Sequence, residues 1–281
     1  MSLTDAQWAR IEPLLPDRTP KRGGRWRDHR QMIDAIAFKY RTGTPWMDLP
    51  EHFGSWKGAH NRLRKWAADG TWEKVFIALL AQADTEGDLD WIVAVDSTIV
   101  RAHQHAAGAR PKGAPADEPD DHALGRSRGG LTTKIHLAAD SRCRPLAFVL
   151  TPGQAGDAPA FPKVMASLRV PRRTGRPRTT PEMILADKAY SSRAIRTHLR
   201  QRGIRAVIPQ PSDQVTKRKR RGRSGGRPPA FDREAYKQRN TVERCINKLK
   251  QWRGLATRYD KTATVYLAGL HIAAIFIWSA R

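Results

Sequence analysis

The chain has 281 residues, of which 40% are hydrophobic, so it is long enough for one large domain or two smaller ones with a buried core. Its charge is unbalanced, because 51 Lys and Arg residues against 27 Asp and Glu residues give a formal net charge of +24. Such an excess repels itself in a compact protein and indicates a polyanionic partner, most commonly nucleic acid. Only two cysteines, far apart, exclude a disulfide-stapled domain and a cysteine-based zinc site.

Two segments indicate where in the cell the protein is expected to be found. The N-terminus has neither the basic region nor the apolar region of a secretory signal. The most apolar stretch, Leu267 to Trp278, is about half of the roughly 20 residues that a membrane span needs. We therefore expect no membrane contact and a cytoplasmic protein, with this stretch forming a buried helix.

Residues 1–88 are predicted to form a helical DNA-binding domain. Capping residues at Thr4, Asp28 and Ser55 precede apolar residues at helical spacing, and the last of these helices runs from Trp56 to Ala68. A short segment, a turn with glycine and this longer basic helix follow the outline of a helix-turn-helix, whose second helix enters the major groove of DNA. A helical bundle with a basic, solvated face would give the same pattern. The side chains of this helix expected to contact DNA are Lys57, His60 and Arg64.

The hydrophobic period changes in residues 89–281. Trp91 to Val95 is a short, β-branched run that is typical of a buried strand, and residues 97–102 are expected to extend it. Further strands follow and then alternate with helices, which indicates a mixed α/β core and not a second helical bundle. Residues 105–130 are rich in Gly, Ala, Pro and Asp and are predicted to form a mobile loop.

The last third of the chain contains a basic linker. It lies near residues 212–232, and we expect its segment from Lys217 to Arg223 to be mobile in the absence of DNA. The composition fits either a phosphate-contacting arm or a solvated linker. Two helices are predicted to finish the chain, from about Arg233 to Trp252 and from Thr262 to Ser279.

Two acidic residues stand at the ends of predicted strands. Asp96 follows the apolar run Ile92–Val95, and Asp187 follows Met183–Ala186. Phosphodiester cleavage by two metal ions requires a few carboxylates that converge from rigid elements. Mg²⁺ favours such a set because it keeps several waters and binds substrate phosphate. Either aspartate alone is also typical of a turn or a cap, so the pair needs a third partner.

The third candidate is an acidic residue on the helix after the basic linker. Tyr236, Arg239, Glu243 and Lys250 are 3, 4 and 7 residues apart, which places them along one face of a helix. Glu243 therefore has cationic neighbours. A solvated helix with i,i+4 ion pairs would show the same spacing.

This spacing resembles the signature around the catalytic glutamate of bacterial insertion-sequence transposases of the Asp-Asp-Glu class, most closely the insertion sequence five group. The resemblance covers essentially the whole chain. Other segments that resemble this group are Trp46–Pro50, Asp96–Thr98, Gly129–His136, Asp187–Tyr190 and Gly226–Asp232.

The resemblance implies an α/β fold in which an all-helical, helix-turn-helix-like N-terminal domain precedes an RNase H-like, mixed-sheet catalytic core. It implies that Asp96, Asp187 and Glu243 are catalytic ligands of two Mg²⁺ ions, with Mn²⁺ as a substitute. The implied function is a transposase that binds terminal inverted repeats and cleaves and transfers DNA strands. Its partner would be double-stranded DNA, at element ends and target, bound by at least a homodimer. Further implied DNA contacts are Lys188, Tyr190, Arg239 and Lys250.

Two other functions are also compatible with these sequence features. One is a DNA-binding repressor or domesticated relic that uses only the N-terminal helices, and the other is a different RNase H-like nuclease, such as a junction resolvase. Asp140 and Asp157 are rival carboxylates. Asp140 begins a predicted hairpin turn, and Asp157 is predicted to cap a helix that starts at Ala158, although a supporting role in the site stays open.

Overall fold

The computed structural model describes residues 2–19, 26–109 and 118–280. The helices of this part of the chain are α1 (Asp5–Ile11), α2 (His29–Thr42), α3 (Trp56–Ala68), α4 (Thr71–Thr85), α5 (Gln104–Ala107), α6 (Asp157–Ser167), α7 (Arg193–Gln201), α8 (Ser212–Arg220), α9 (Arg233–Lys237), α10 (Asn240–Lys250), α11 (Arg253–Ala256) and α12 (Ala263–Ser279). The strands are β1 (Ile92–Ala102), β2 (Gly125–Ser127), β3 (Gly130–Ala139), β4 (Pro145–Pro152), β5 (Met183–Ala186), β6 (Arg205–Val207) and β7 (Thr257–Arg258).

A single mixed sheet organises the molecule around β1. Strand β3 pairs antiparallel with β1 and β4 antiparallel with β3, whereas β5 is parallel to β1 and β6 is parallel to β5. The order across the sheet is β4-β3-β1-β5-β6. The short strand β2 pairs with one end of β3, and the short strand β7 pairs with one end of β1. An antiparallel unit of three strands, followed by two parallel strands reached through α6 and α7, is the RNase H-like arrangement. The predicted fold class is confirmed.

Strand β1 is covered on both faces, which explains its apolar first half. Val93, Ala94 and Val95 are buried, as expected for a strand between two layers of helices. Side chains alternate along a strand, so Asp96 and Thr98 face α10, whereas Ser97 faces α6. The strand therefore presents different polar groups to its two sides.

The N-terminal helices begin where the sequence predicts. Thr4 forms a capping box at α1, and the Asp28 side chain accepts the N–H of Gln31 at the start of α2. Ser55 precedes α3, but its side chain makes no capping hydrogen bond. The segment expected before α3 is a pair of 3₁₀ turns, Trp46–Asp48 and Glu51–Phe53.

Helix α12 joins the two parts of the chain. It packs against α3 and α4 as well as β4, so one hydrophobic core runs through the N-terminal helices and the sheet. Its His271 lies parallel to the ring of Phe76, and burial lowers the pKa of this histidine to about 3. The prediction of a buried helix here is confirmed. Within the described ranges, no helix has the length and apolar character required to cross a bilayer.

The basic linker differs from its prediction. The part from Lys217 to Arg220 is not a mobile arm but the last turn of α8, and a 3₁₀ turn follows at Gly222–Gly225. Lys and Arg have high helix propensity, and cations at the end of a helix interact favourably with its dipole. Composition alone therefore exaggerated the disorder of this segment.

Two further expectations need correction. The helix predicted from Arg233 to Trp252 is divided, because α9 ends at Lys237 and α10 begins at Asn240. Tyr236 and Glu243 therefore lie on different helices, and Arg239 lies in the turn between them. The loop predicted for residues 105–130 contains most of α5 and all of β2, while its residues 110–117 lie outside the described part of the chain.

Candidate active site

The first two candidate carboxylates lie side by side, Asp96 in the middle of β1 and Asp187 directly after β5 ends. Val95 and Ala186 are opposite each other in the parallel pair of β1 and β5. Asp96 and Asp187 are the next residues of the two strands, and neighbouring strands are about 4.8 Å apart. The strand pairing therefore brings together two aspartates that are 91 positions apart in the sequence.

The third carboxylate joins them through an arginine. The Arg239 guanidinium donates one hydrogen bond to Asp96 Oδ2 at 3.2 Å and another to Glu243 Oε1 at 2.5 Å. Arg239 and Glu243 are four residues apart across the first turn of α10, so both point to the middle of β1, where Asp96 lies. The structure thus brings Asp96, Asp187 and Glu243 to one site.

The charges of this site influence each other. Burial raises the pKa of Asp96, and the negative charges of Asp187 and Glu243 raise it further, against the effect of Ser97 N–H and Arg239. Burial alone would lower the pKa of Arg239, but its hydrogen bond to Glu243 raises it. The ionised carboxylates therefore repel each other at close range, and a cation among them is stabilising.

The residues that follow Asp187 form a 3₁₀ turn. Asp187 caps this turn by accepting the N–H of Ala189 at 2.9 Å. Lys188 is exposed, whereas only 1% of Tyr190 is exposed. Burial raises the pKa of the Tyr190 hydroxyl, and the charges of Asp157 and Asp96 raise it further. The predicted DNA contact of Tyr190 is inconsistent with this burial, because the ring belongs to the hydrophobic core and its centroid lies 5.9 Å from that of Phe161.

Lys250 is the last residue of α10 and lies beside the C-terminal half of β1. Its Nζ donates to the carbonyl of Ile99 at 3.4 Å, and burial lowers the pKa of the ammonium group. Lys250 is half-buried, and the side chain of Arg239 is 19% exposed. In this conformation both cations bind protein groups, so their contacts with DNA stay predictions.

The donor groups suit a divalent metal, although the Arg239 guanidinium lies among them. Within the described ranges, no three His, Cys, Asp or Glu side chains are placed to bind one ion together. Arg239 stands between Asp96 and Glu243 and occupies an oxygen of each. Carboxylate oxygens are the ligands that Mg²⁺ and Mn²⁺ prefer. The set therefore fits a hard divalent ion once the guanidinium withdraws.

A further carboxylate lies on the other side of β1. Asp157 does not cap α6, since Gly156 is the N-cap and Asp157 is the first helical residue. Its Oδ1 instead accepts the Ser97 hydroxyl at 2.6 Å and the Lys134 ammonium at 3.1 Å. Ser97 follows Asp96 and donates its backbone N–H to Asp96 Oδ1 at 2.8 Å. The sequence could not reveal this link, because it depends on where β1, β3 and α6 meet.

The side chains predicted to bind DNA on α3 are not equally accessible. Lys57 and Arg64 are exposed, one on each half of the helix. His60 is half-buried, with its ring 5.3 Å from Trp46 and 6.4 Å from Trp56 between centroids. Burial and the charge of Arg64 lower the pKa of His60. Two of the three predicted residues are therefore open to a ligand.

Two family models match the chain. Residues 3–76 match a family model described as "Putative transposase of IS4/5 family", and residues 87–278 match one described as "Transposase DDE domain". The second match spans more than half of the chain and contains Asp96, Asp187 and Glu243.

Curated relatives carry related names. The chain is 28% identical over 148 residues to the "Putative transposase for insertion sequence element IS6501" of Brucella ovis, which covers 53% of this chain and 98% of the relative. It is 31% identical over 169 residues to the "Putative transposase for insertion sequence element IS402" of Burkholderia cepacia, covering 60% of this chain and 69% of the relative.

A solved structure was also matched. It is a Mos1 transposase paired-end complex with the left transposon end, 15% identical, covering 86% of this chain and 83% of that one. Its TM-score of 0.25 is too low to support any inference. The family models and the curated relatives are sufficient without it. The chain belongs to the DDE transposases, enzymes that cleave and join DNA strands with the help of a divalent metal.

Proposed function

We propose that this transposase cuts the ends of an insertion sequence and joins them to target DNA at the site formed by Asp96, Asp187 and Glu243. The observation that supports it most strongly is the convergence of Asp96 and Glu243 on one guanidinium, with Asp187 on the adjacent strand. The three carboxylates would hold two Mg²⁺ ions, for which Mn²⁺ can substitute. Bound there, the ions activate the attacking oxygen and stabilise the leaving oxygen of a phosphodiester.

The protein groups would prepare this site. The Ser97 N–H fixes one oxygen of Asp96, and the Ala189 N–H fixes one oxygen of Asp187. Both carboxylates are therefore oriented before a ligand arrives. Arg239 neutralises Asp96 and Glu243 in the free protein and, once displaced, has the planar geometry that suits a DNA phosphate. Lys188 is exposed and follows Asp187 directly. It would contact the DNA strand that is to be cut.

The N-terminal helices would recognise the element. We assign residues 1–88 to binding of the terminal inverted repeats, with α3 in the major groove and Lys57 and Arg64 directed to the DNA. His60 would act there through its packing against Trp46. Because two element ends must be brought together, the working complex would contain at least two copies of the chain.

A cleavage assay on DNA that carries the inverted repeats flanking the gene tests the proposal. With Mg²⁺ or Mn²⁺, we expect strand cuts at the repeat ends and joining to a target duplex, and none with a chelator. Binding without cleavage would favour a repressor or relic. Cutting of branched DNA with no preference for the repeats would favour a resolvase. Either outcome would contradict the proposal.

A further inference from the structure

A groove of about 730 Å³ separates the N-terminal helices from the segment between β7 and α12. It lies beside α3 and does not include Asp96, Asp187 or Glu243. We call it the Lys39 groove, and the lining residues relevant here are Lys39, Trp46, His60, Arg64, Tyr259 and Lys261.

Lys39 differs from Arg64 and Lys261 because it is buried. Only 4% of it is exposed, and its Nζ lies 4.6 Å from the ring centre of Tyr40, 5.6 Å from Trp46 and 5.9 Å from Tyr259. In the described part of the chain, no carboxylate forms an ion pair with this ammonium. Aromatic faces attract a cation but accept its three N–H donors poorly. A buried lysine with such neighbours has the capacity to bind an anion.

The rest of the groove is also positive. Arg64 and Lys261 line it and are exposed, whereas Asp260 is the acidic residue of the lining and accepts a hydrogen bond from the Tyr40 hydroxyl at 3.2 Å. Burial lowers the pKa of His60, and the charges of Arg64 and Lys39 lower it further. This histidine is therefore neutral near pH 7 and supplies a hydrogen-bonding group without adding charge.

An apolar surface adjoins these cations. The Trp46 ring lines the groove, and the neighbouring Met47 is 76% exposed. Aromatic faces next to a cationic groove hold single-stranded nucleotides by stacking and phosphate contact together. In a duplex the bases are paired, so the deoxyribose is the apolar group that can lie against such a face. A free inorganic anion would make no use of Trp46 or Met47.

We propose that the Lys39 groove binds a backbone phosphate of the DNA substrate, with the deoxyribose next to that phosphate against Trp46. Lys39 would hold the phosphate from the floor of the groove, and Arg64 and Lys261 from its rim. Because Arg64 belongs to α3, this contact would continue the surface that α3 offers to the repeats. The inference rests on the proposed function only in that DNA is the ligand.

The salt dependence of DNA binding tests this inference. The variant Lys39→Met keeps the bulk of the side chain and loses the charge. In metal-free fluorescence anisotropy with an inverted-repeat duplex, we expect affinity to fall about tenfold or more. The slope of log K against log salt should become shallower by about 0.9, the value for one lost phosphate contact. Lys163→Met, at an exposed position of α6, is the control and should leave the slope unchanged.

Other outcomes have distinct meanings. If Lys39→Met fails to fold, the exposed Lys261→Met replaces it, with the same expected change of slope. An unchanged slope in whichever folded groove variants are measured overturns the inference. Thermal stabilisation by inorganic phosphate that Lys39→Met abolishes, without a change in the DNA slope, assigns the groove to free phosphate and also overturns it. The measurement needs no cleavage, so failure of the proposed catalytic site would leave its result interpretable.

Discussion

Replacing Asp96 by Asn is expected to abolish strand cleavage while DNA binding survives. Asp96 lies in the middle of the central strand and is linked to Glu243 through Arg239 and to Asp187 through the neighbouring strand. An amide removes one negative charge and weakens metal binding. We expect cleavage to slow by at least about 1000-fold, which corresponds to about 4 kcal/mol.

Single-turnover cleavage of a labelled repeat duplex, with binding measured in parallel, checks this expectation. Glu243→Gln should behave like Asp96→Asn. Asp5→Asn makes the same chemical change at a side chain that is 96% exposed on α1, and it should retain full activity. Full activity of either Asp96→Asn or Glu243→Gln would contradict the assignment of these carboxylates.

Replacing Asp140 by Ala should damage the fold. Asp140 is fully buried in the turn between β3 and β4, where its carboxylate accepts the backbone N–H groups of Arg142 and Arg144 and the Arg144 guanidinium at 2.7 Å. Burial raises the pKa of Asp140, and these contacts offset only part of that rise. Removal of one partner of a buried ion pair costs about 3–5 kcal/mol, so we expect that loss in the free energy of unfolding.

Urea denaturation followed by circular dichroism measures this loss. The control is Glu234→Ala, which breaks an ion pair with Lys237 whose side chains are 80% and 72% exposed. Exposed pairs contribute about 0–1 kcal/mol, so the control should unfold almost like the original chain. A loss below about 1 kcal/mol for Asp140→Ala would show that Arg144 finds sufficient compensation in Asp88.

Together these variants separate two kinds of acidic residue that look alike in the sequence. Asp96 and Asp140 both follow apolar runs. The partners of Asp140 lie within four residues and close a turn, so a structural role could be predicted locally. The partners of Asp96 come from β5 and α10, and only the fold shows that they meet.

The elements that could be predicted from the sequence are those whose pattern is set by neighbouring residues. Strand β1 is visible because it begins with a contiguous apolar run rich in β-branched residues, and α3 because its apolar residues recur at helical spacing. The positions of Asp96 and Asp187 directly after apolar runs follow from the same signals, although β1 continues beyond Asp96 to Ala102. The alternation of strands and helices was sufficient to predict the α/β core.

The predictions that failed concern contacts between residues that are far apart in the sequence. The turn before α10 has no breaking residue, yet it directs Arg239 to Asp96. Tyr190 belongs to a motif that resembles transposases, but its ring fills the core under the 3₁₀ turn. Asp157 was expected to cap its own helix and instead binds Ser97 and Lys134 on the face of the sheet that α6 covers. Local propensity cannot reveal side-chain partners that tertiary packing supplies.

A crystal of the protein with a repeat-end duplex and Mn²⁺ would give the most direct evidence, through anomalous scattering at the manganese edge. We expect strong peaks bounded by the carboxylates of Asp96, Asp187 and Glu243, at about 2.1 Å from their oxygens, with Arg239 moved away from Asp96. Peaks elsewhere, or an Arg239 bridge that stays closed while the DNA is cut, would contradict the metal site described above.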